Sequence, residues 1–61
     1  MPQLNQMELQ NLRHMIGEHD TAAEKMQTYA QQCKDPQVKQ YFEQSAQDAK
    51  QTKQQLMTFL N

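Results

Sequence analysis

The side chains of this sequence that could do chemistry are two histidines, one cysteine and seven carboxylates, spread over 61 residues. His19 is the most conspicuous, because it lies within a series of apolar positions. There it could bind a metal, act as a general base or respond to pH. The alternative, which we favour, is a core histidine whose ring bonds to Thr52, a glutamine or a backbone carbonyl. If His19 is buried and neutral, acidification should destabilise the assembly, because burying a charged ring costs desolvation free energy.

The other candidates are His14 with Glu18, and Cys33. His14 and Glu18 are four residues apart, so a helix places them on one face, where they could hold a metal together. That face is the outer surface, and we favour a solvated pair. Cys33 is either a small apolar packing residue or half of a disulfide with a second chain. A single cysteine excludes an internal disulfide and a multi-cysteine zinc site.

Four-helix bundles can hold a di-iron centre, which is built from inward-pointing Glu residues and Glu-x-x-His pairs. In this sequence no Glu precedes a His by three residues. We therefore predict no metal and no cofactor, and no Ser/His/Asp arrangement predicts an enzyme. All the acidic residues miss the inward positions of the apolar series: Glu8, Glu18, Asp20, Glu24, Asp35, Glu43 and Asp48.

The first helix that must position these groups begins after Asn5. Asn is a preferred N-cap, and Glu8, three residues later, completes a capping box. Apolar positions then recur in steps of three and four, which predicts a helix over residues 6–33. These positions are Leu9, Leu12, Ile16, His19, Ala23, Met26, Ala30 and Cys33. Three further residues widen the stripe on one side: Met15, Ala22 and Tyr29.

The second helix follows a turn at residues 34–35, since Asp35 can cap a helix and Pro36 suits its first position. We predict that it runs over about residues 36–60. A connection this short makes the two helices antiparallel neighbours, with residue i roughly opposite residue 70 − i. His19 would then lie opposite Thr52. The apolar stripe of this helix is Val38, Phe42, Ser45, Ala49, Thr52, Leu56 and Phe59.

The predicted fold is all-α: a single antiparallel two-helix hairpin covering residues 1–61. Two helices that touch along one line leave the far side of each stripe in water. We therefore expect a symmetric dimer, in which two hairpins form a four-helix bundle. A higher assembly and docking onto a different partner remain open. The residues predicted to form the self-association interface are Leu9, Leu12, Ile16, His19, Met26, Phe42, Leu56 and Phe59.

The charge balance excludes several partners. Six basic and seven acidic residues give a net charge of −1. The chain therefore lacks the excess of basic residues that is typical of a nucleic-acid-binding domain, and the polybasic patch that binds anionic membranes. No apolar run approaches the roughly 20 residues that span a bilayer. The first ten residues lack a charged segment followed by an apolar one. We therefore expect no secretory signal, and synthesis in the cytoplasm.

Residues 9–60 resemble the coat F family of spore coat proteins from endospore-forming bacteria. The likeness is carried by a Tyr-Ala pair before a polar-Pro turn, then an aliphatic, a basic and an aromatic residue. The larger members of the family carry an aromatic C-terminal tail. They also carry an acidic residue near position 33, where this chain has Cys33. The matching residues here are Tyr29, Ala30, Asp35, Pro36, Val38, Lys39 and Phe42.

The resemblance implies half of a ferritin-like bundle and a structural role in the spore coat through helical self-association. The partners of the protein would be copies of itself and other spore coat proteins. The resemblance implies no catalytic residue. The alternative is a soluble helical adaptor or a small ferritin-like metal-binding protein. An enzyme is the least favoured class, because a packed bundle of this size leaves little room for a pocket with convergent polar groups.

Overall fold

A computed structural model of the chain describes residues 4–60, in which two α-helices pack side by side. Helix α1 spans Gln6–Gln32 and helix α2 spans Pro36–Met57, and a short 3-10 helix follows over Thr58–Leu60. Residues 4–60 contain no strand, and the contacts between elements join α1 to α2. The predicted all-α helical hairpin is therefore confirmed. Within the same residues, neither helix has the length and apolar character that crossing a membrane requires.

The beginning of α1 is fixed by the predicted capping box. The backbone N–H of Glu8 donates to Asn5 Oδ1 at 2.7 Å, and the backbone N–H of Asn5 donates to Glu8 Oε1 at 3.0 Å. Each side chain thus satisfies a backbone group that the first helical turn leaves unpaired. The helix ends at Gln32, one residue before the predicted end, because Cys33 takes an extended conformation with ψ 138°.

The beginning of α2 is fixed by Asp35. Its Oδ1 accepts hydrogen bonds from the backbone N–H groups of Gln37, at 2.8 Å, and Val38, at 3.2 Å. Pro36 occupies the first turn, where its missing N–H removes no helical hydrogen bond. A capped proline start immediately after an extended residue explains why the three residues 33–35 suffice to reverse the chain.

The end of α2 differs from the prediction, which continued the α-helix to residue 60. The α-helix stops at Met57, and residues 58–60 form the 3-10 helix. The hydroxyl of Thr58 donates to the carbonyl oxygen of Gln55 at 2.6 Å. A side chain that occupies a carbonyl near a helix end competes with the regular backbone ladder, and terminal turns then commonly tighten into 3-10 geometry.

The interior between the helices is thin. Alanine side chains allow two helices to approach closely, but each removes little apolar area from water. Among the described residues no polar or charged side chain is buried, and no large side chain is completely enclosed. The hairpin therefore has less core than a stable domain of this length ordinarily needs. Its buried residues are Leu12, Ala23, Ala30, Ala46 and Ala49.

Candidate self-association surface

Two contacts between the helices define their register. The rings of Tyr29 and Phe42 meet edge to face, with centroids 5.5 Å apart. Further from the turn, Nζ of Lys53 lies 2.9 Å from Oδ1 of Asp20. The 70 − i rule places Tyr29 opposite residue 41, one residue from the observed contact. It places Asp20 opposite residue 50, about one helical turn short of Lys53.

One broad side of the hairpin carries mainly apolar side chains, and we call it the apolar face. A groove at its open end is lined by both helices and by the residues that flank them, among them Leu4, Met15, Leu56 and Phe59. Residues seven apart on a helix share a face, so Met15 extends this surface towards the turn along α1. Thr52, one turn before Leu56, does so along α2. The face comprises Leu4, Met15, Ala22, Tyr29, Val38, Tyr41, Ser45, Thr52, Leu56 and Phe59.

Tyr41 belongs to the apolar face for two reasons. It lies four residues, or about one turn, before Ser45 in α2 and so points in nearly the same direction. Its ring also packs edge to face on Phe42, with centroids 5.9 Å apart. Tyr41 is nevertheless 69% exposed, so most of an aromatic side chain lies in water at the turn end of the face.

The opposite side is polar, and we call it the polar face. A shallow depression there is lined mainly by glutamine, lysine and glutamate from both helices. Asp20 lies seven residues before one lining residue, Gln27, so the Asp20–Lys53 ion pair belongs to this side. The polar lining residues are Gln27, Gln31, Lys39, Glu43, Gln47 and Lys50. The two sides of the hairpin thus differ sharply in chemistry.

Exposure on the apolar face is high for large side chains. Tyr29 and Phe59 are each 47% exposed, Val38 is 44% exposed and Met15 is 43% exposed. Isolated exposed apolar residues are ordinary, but a contiguous group on one side of a small protein indicates an interaction surface. The geometry therefore supports recognition of another apolar surface.

The residues predicted to form the interface lie at several depths. Leu12 is buried, and it lines the groove on the apolar face. Phe59 is exposed in the single chain, where a residue that contacts a second copy would be accessible. Whether these residues form an interface between chains stays a prediction. The remaining six are half-buried: Leu9, Ile16, His19, Met26, Phe42 and Leu56.

The predicted interface leaves out four of the five exposed large apolar side chains on the apolar face: Met15, Tyr29, Val38 and Tyr41. Ala23 and Ala30 pack closely against α2. The neighbouring row of residues on α1, spaced seven apart, therefore points away from α2; it consists of Met15, Ala22 and Tyr29. Part of the signal was present in the sequence, because Met15 and Tyr29 widen the stripe of the first helix and Val38 belongs to the stripe of the second. Their role depended on which edge of the stripe packs against α2.

The ring of His19 bonds within its own helix. Nδ1 lies 2.8 Å from the carbonyl oxygen of Met15, one turn earlier. Because a carbonyl oxygen only accepts, Nδ1 carries the hydrogen in this bond. The partner of His19 is thus a backbone carbonyl, one of the three kinds of partner expected for a core histidine. The His19 side chain is half-buried rather than fully enclosed.

The remaining candidate groups lie at the surface. Nε2 of His14 is 3.6 Å from Oε1 of Glu18, and the two side chains are 77% and 62% exposed. Such an exposed pair contributes little to stability. Cys33 is a half-buried free thiol. Within residues 4–60, no three His, Cys, Asp or Glu side chains come together in a metal-binding arrangement.

Comparisons with protein-family models, with curated proteins and with solved structures give no match for this chain. Two features therefore bear on function: the apolar face and the resemblance of residues 9–60 to the coat F family. The apolar face is the more specific of the two, because it names the residues that an experiment can change.

Proposed function

We propose that this protein is a structural subunit that associates with copies of itself through the apolar face. The first product is a dimer in which two hairpins form a four-helix bundle. The observation that supports this is the concentration of exposed large apolar side chains on one face. In the dimer these side chains supply the core that the alanine-lined contact between α1 and α2 lacks.

The dimensions of the chain suit such a dimer. The hairpin measures 46 × 16 × 11 Å, so its broad side offers about 740 Å² in projection, close to the roughly 800 Å² per partner of a standard interface. The chain exposes 5089 Å², whereas a compact monomer of 7.2 kDa exposes about 4,100 Å². The excess is comparable with the area that one copy would bury.

The proposed setting is the bacterial spore coat, and this part of the proposal is supported by the family resemblance. A net charge of −1 creates little long-range repulsion between densely packed copies. In the dimer the glutamine-rich polar faces remain outside, where they are available for contacts with further copies or with other coat proteins. Synthesis in the cytoplasm is part of the same proposal.

The experiment that tests self-association uses two methionines as a matched pair. Met15 and Met57 are each 43% exposed, but Met15 lines the groove of the apolar face, whereas Met57 follows Lys50 by seven residues on the polar side. Sedimentation equilibrium and helicity are measured over a dilution series for the parent protein, Met15→Gln and Met57→Gln. Both changes keep a good helix former.

We expect the parent to be dimeric at micromolar concentration and to lose helicity as it dissociates. Met15→Gln should raise the dissociation constant at least tenfold, because each dimer buries two copies of this side chain. Met57→Gln should leave it within about twofold. A parent that stays folded and monomeric, or two variants that weaken the dimer equally, would overturn the proposal.

The spore setting has its own test. Antibodies against the protein are applied to purified spores and to vegetative cells of the source organism. Labelling of the spore coat layers supports the structural role in the coat. A protein confined to vegetative cells would overturn that setting while leaving self-association through the apolar face intact.

A further inference from the structure

We infer the orientation of the two copies and the ion pair that sets it. The copies stack apolar face on apolar face with their turns at the same end, and Lys25 of each copy pairs with Asp48 of the other. This inference rests on the proposed function, because it describes the geometry of the same dimer. It adds a recognition element that the apolar residues alone do not provide.

Lys25 and Asp48 lie on the two outer edges of the apolar face. Lys25 follows Ala22 by three residues, which rotates it about 60° around α1, away from α2. Asp48 follows Tyr41 by seven residues and so lies just outside the line of exposed apolar residues on α2. Both side chains are exposed.

The two residues also lie at the same height along the hairpin. The Asp20–Lys53 contact fixes one level shared by both helices. Lys25 lies five residues after Asp20 on α1, and Asp48 lies five residues before Lys53 on α2. Because the helices run antiparallel, both steps lead towards the turn by the same distance, and the two residues share one level. They are separated by the width of the hairpin and cannot pair within one chain.

Neither charge is neutralised among the described residues. The ion pairs there join Asp20 to Lys53 and His14 to Glu18. Asp48 accepts one hydrogen bond, from Nε2 of Gln44 at 3.0 Å, and this leaves its second carboxylate oxygen available. A cation and an anion thus flank the apolar face at one level, on opposite edges.

A two-fold axis parallel to the helices would form the contact between Lys25 and Asp48 twice in one dimer. It places α1 of one copy over α2 of the other, so that Lys25 meets Asp48 at one edge and Asp48 meets Lys25 at the other. Such reciprocity is the property of a symmetric dimer interface. The same axis brings the exposed aromatic residues near the turns, Tyr29 and Tyr41, into one cluster, where edge-to-face packing is favourable.

The other face-to-face stack turns one copy end for end. It places α2 on α2 and α1 on α1. Asp48 lies at the middle of residues 36–60, and Lys25 lies at the same level. An end-for-end stack centred there sets Asp48 against Asp48 and Lys25 against Lys25. Like charges opposed across an interface disfavour the complex, so the charges select the stack with both turns at one end.

The test exchanges the charges. Lys25→Glu and Asp48→Lys are each expected to raise the dissociation constant of the dimer about tenfold at low salt, because each change creates two like-charge contacts. The double variant should return to within about twofold of the parent. Lys50→Glu on the polar face is the matched control and should have no such effect. The differences should shrink at about 1 M salt, where exposed charges are screened.

The lone Cys33 gives an independent measurement of orientation. With both turns at one end, the two thiols lie at the ends of two α1 helices whose axes are about 14 Å apart across the bundle. In the end-for-end stack they are about 24 Å apart along the axis alone, at about 1.5 Å per residue. A bismaleimide with a reach of about 13 Å should therefore link the parent dimer, and the double variant equally well.

The outcomes separate this inference from the proposed function. If no dimer forms at any concentration, self-association itself fails. If a dimer forms but the double variant does not recover, the single reversals have no effect, or Cys33 is not linked, the orientation is overturned and self-association stands. Recovery in the double variant together with efficient linkage supports the inferred pair.

Discussion

The side chain of Lys53 reaches from α2 across to Asp20 on α1, and the two charged groups lie 2.9 Å apart at the edge of the polar face. The pair is partly hydrated, with Lys53 31% exposed and Asp20 54% exposed. It fixes the level at which the helices meet without burying a charge. The opposite side of the hairpin is left to apolar residues.

We predict that Lys53→Met or Asp20→Asn lowers the free energy of unfolding by at most about 1 kcal/mol, because the ion pair is partly exposed. A double-mutant cycle from urea titrations at one fixed protein concentration isolates the interaction, and the coupling should weaken at high salt. A coupling above about 3 kcal/mol would contradict this and would indicate a buried pair.

Gly17→Ala should raise the free energy of unfolding by about 1 kcal/mol, because glycine is a poor residue inside a helix. A Cβ atom added at Gly17 meets nothing within 4 Å, so no steric term opposes the gain. Thermal unfolding followed by circular dichroism checks the prediction. A loss of stability would instead show that another copy packs closely against this part of α1.

Asp35→Ala should cost about 1 kcal/mol of stability, because it removes the acceptor of two backbone hydrogen bonds at the start of α2. Asp35→Asn is the matched control, since asparagine is also a preferred N-cap, and should retain most of the stability. Denaturant titration distinguishes the two. Equal losses would point to the charge of Asp35 rather than to its capping bonds.

Ala46→Leu should lower stability by about 2 kcal/mol, because Ala46 is only 2% exposed between the helices and a larger side chain must push them apart. Gln47→Leu, at the next and exposed position, serves as the control and should leave the hairpin intact. The comparison uses denaturant midpoints at equal protein concentration, since assembly contributes to apparent stability. Ala46→Leu tolerated without loss would show that the helices are less closely packed than described.

Much of the hairpin could be predicted from local pattern. The capping box of Asn5 and Glu8, the cap at Asp35 and the proline after it depend on hydrogen bonds within a few residues. The end of α2 was predicted too far along the chain, because the side chain of Thr58 takes a backbone carbonyl near the helix end. Pattern alone does not reveal whether a threonine hydroxyl will make such a bond.

What the sequence by itself determined is therefore the number of helices, the position of the turn and the width of the apolar stripe, because each follows from short-range hydrogen bonding and helical period. Only the tertiary structure decided which edge of the stripe is used within the chain. Alanines at positions 23, 30, 46 and 49 let the helices approach closely along one line. Packing on that line rotates Met15, Tyr29 and Tyr41 outward, and a stripe this wide is compatible with more than one rotation until the partner helix is in place.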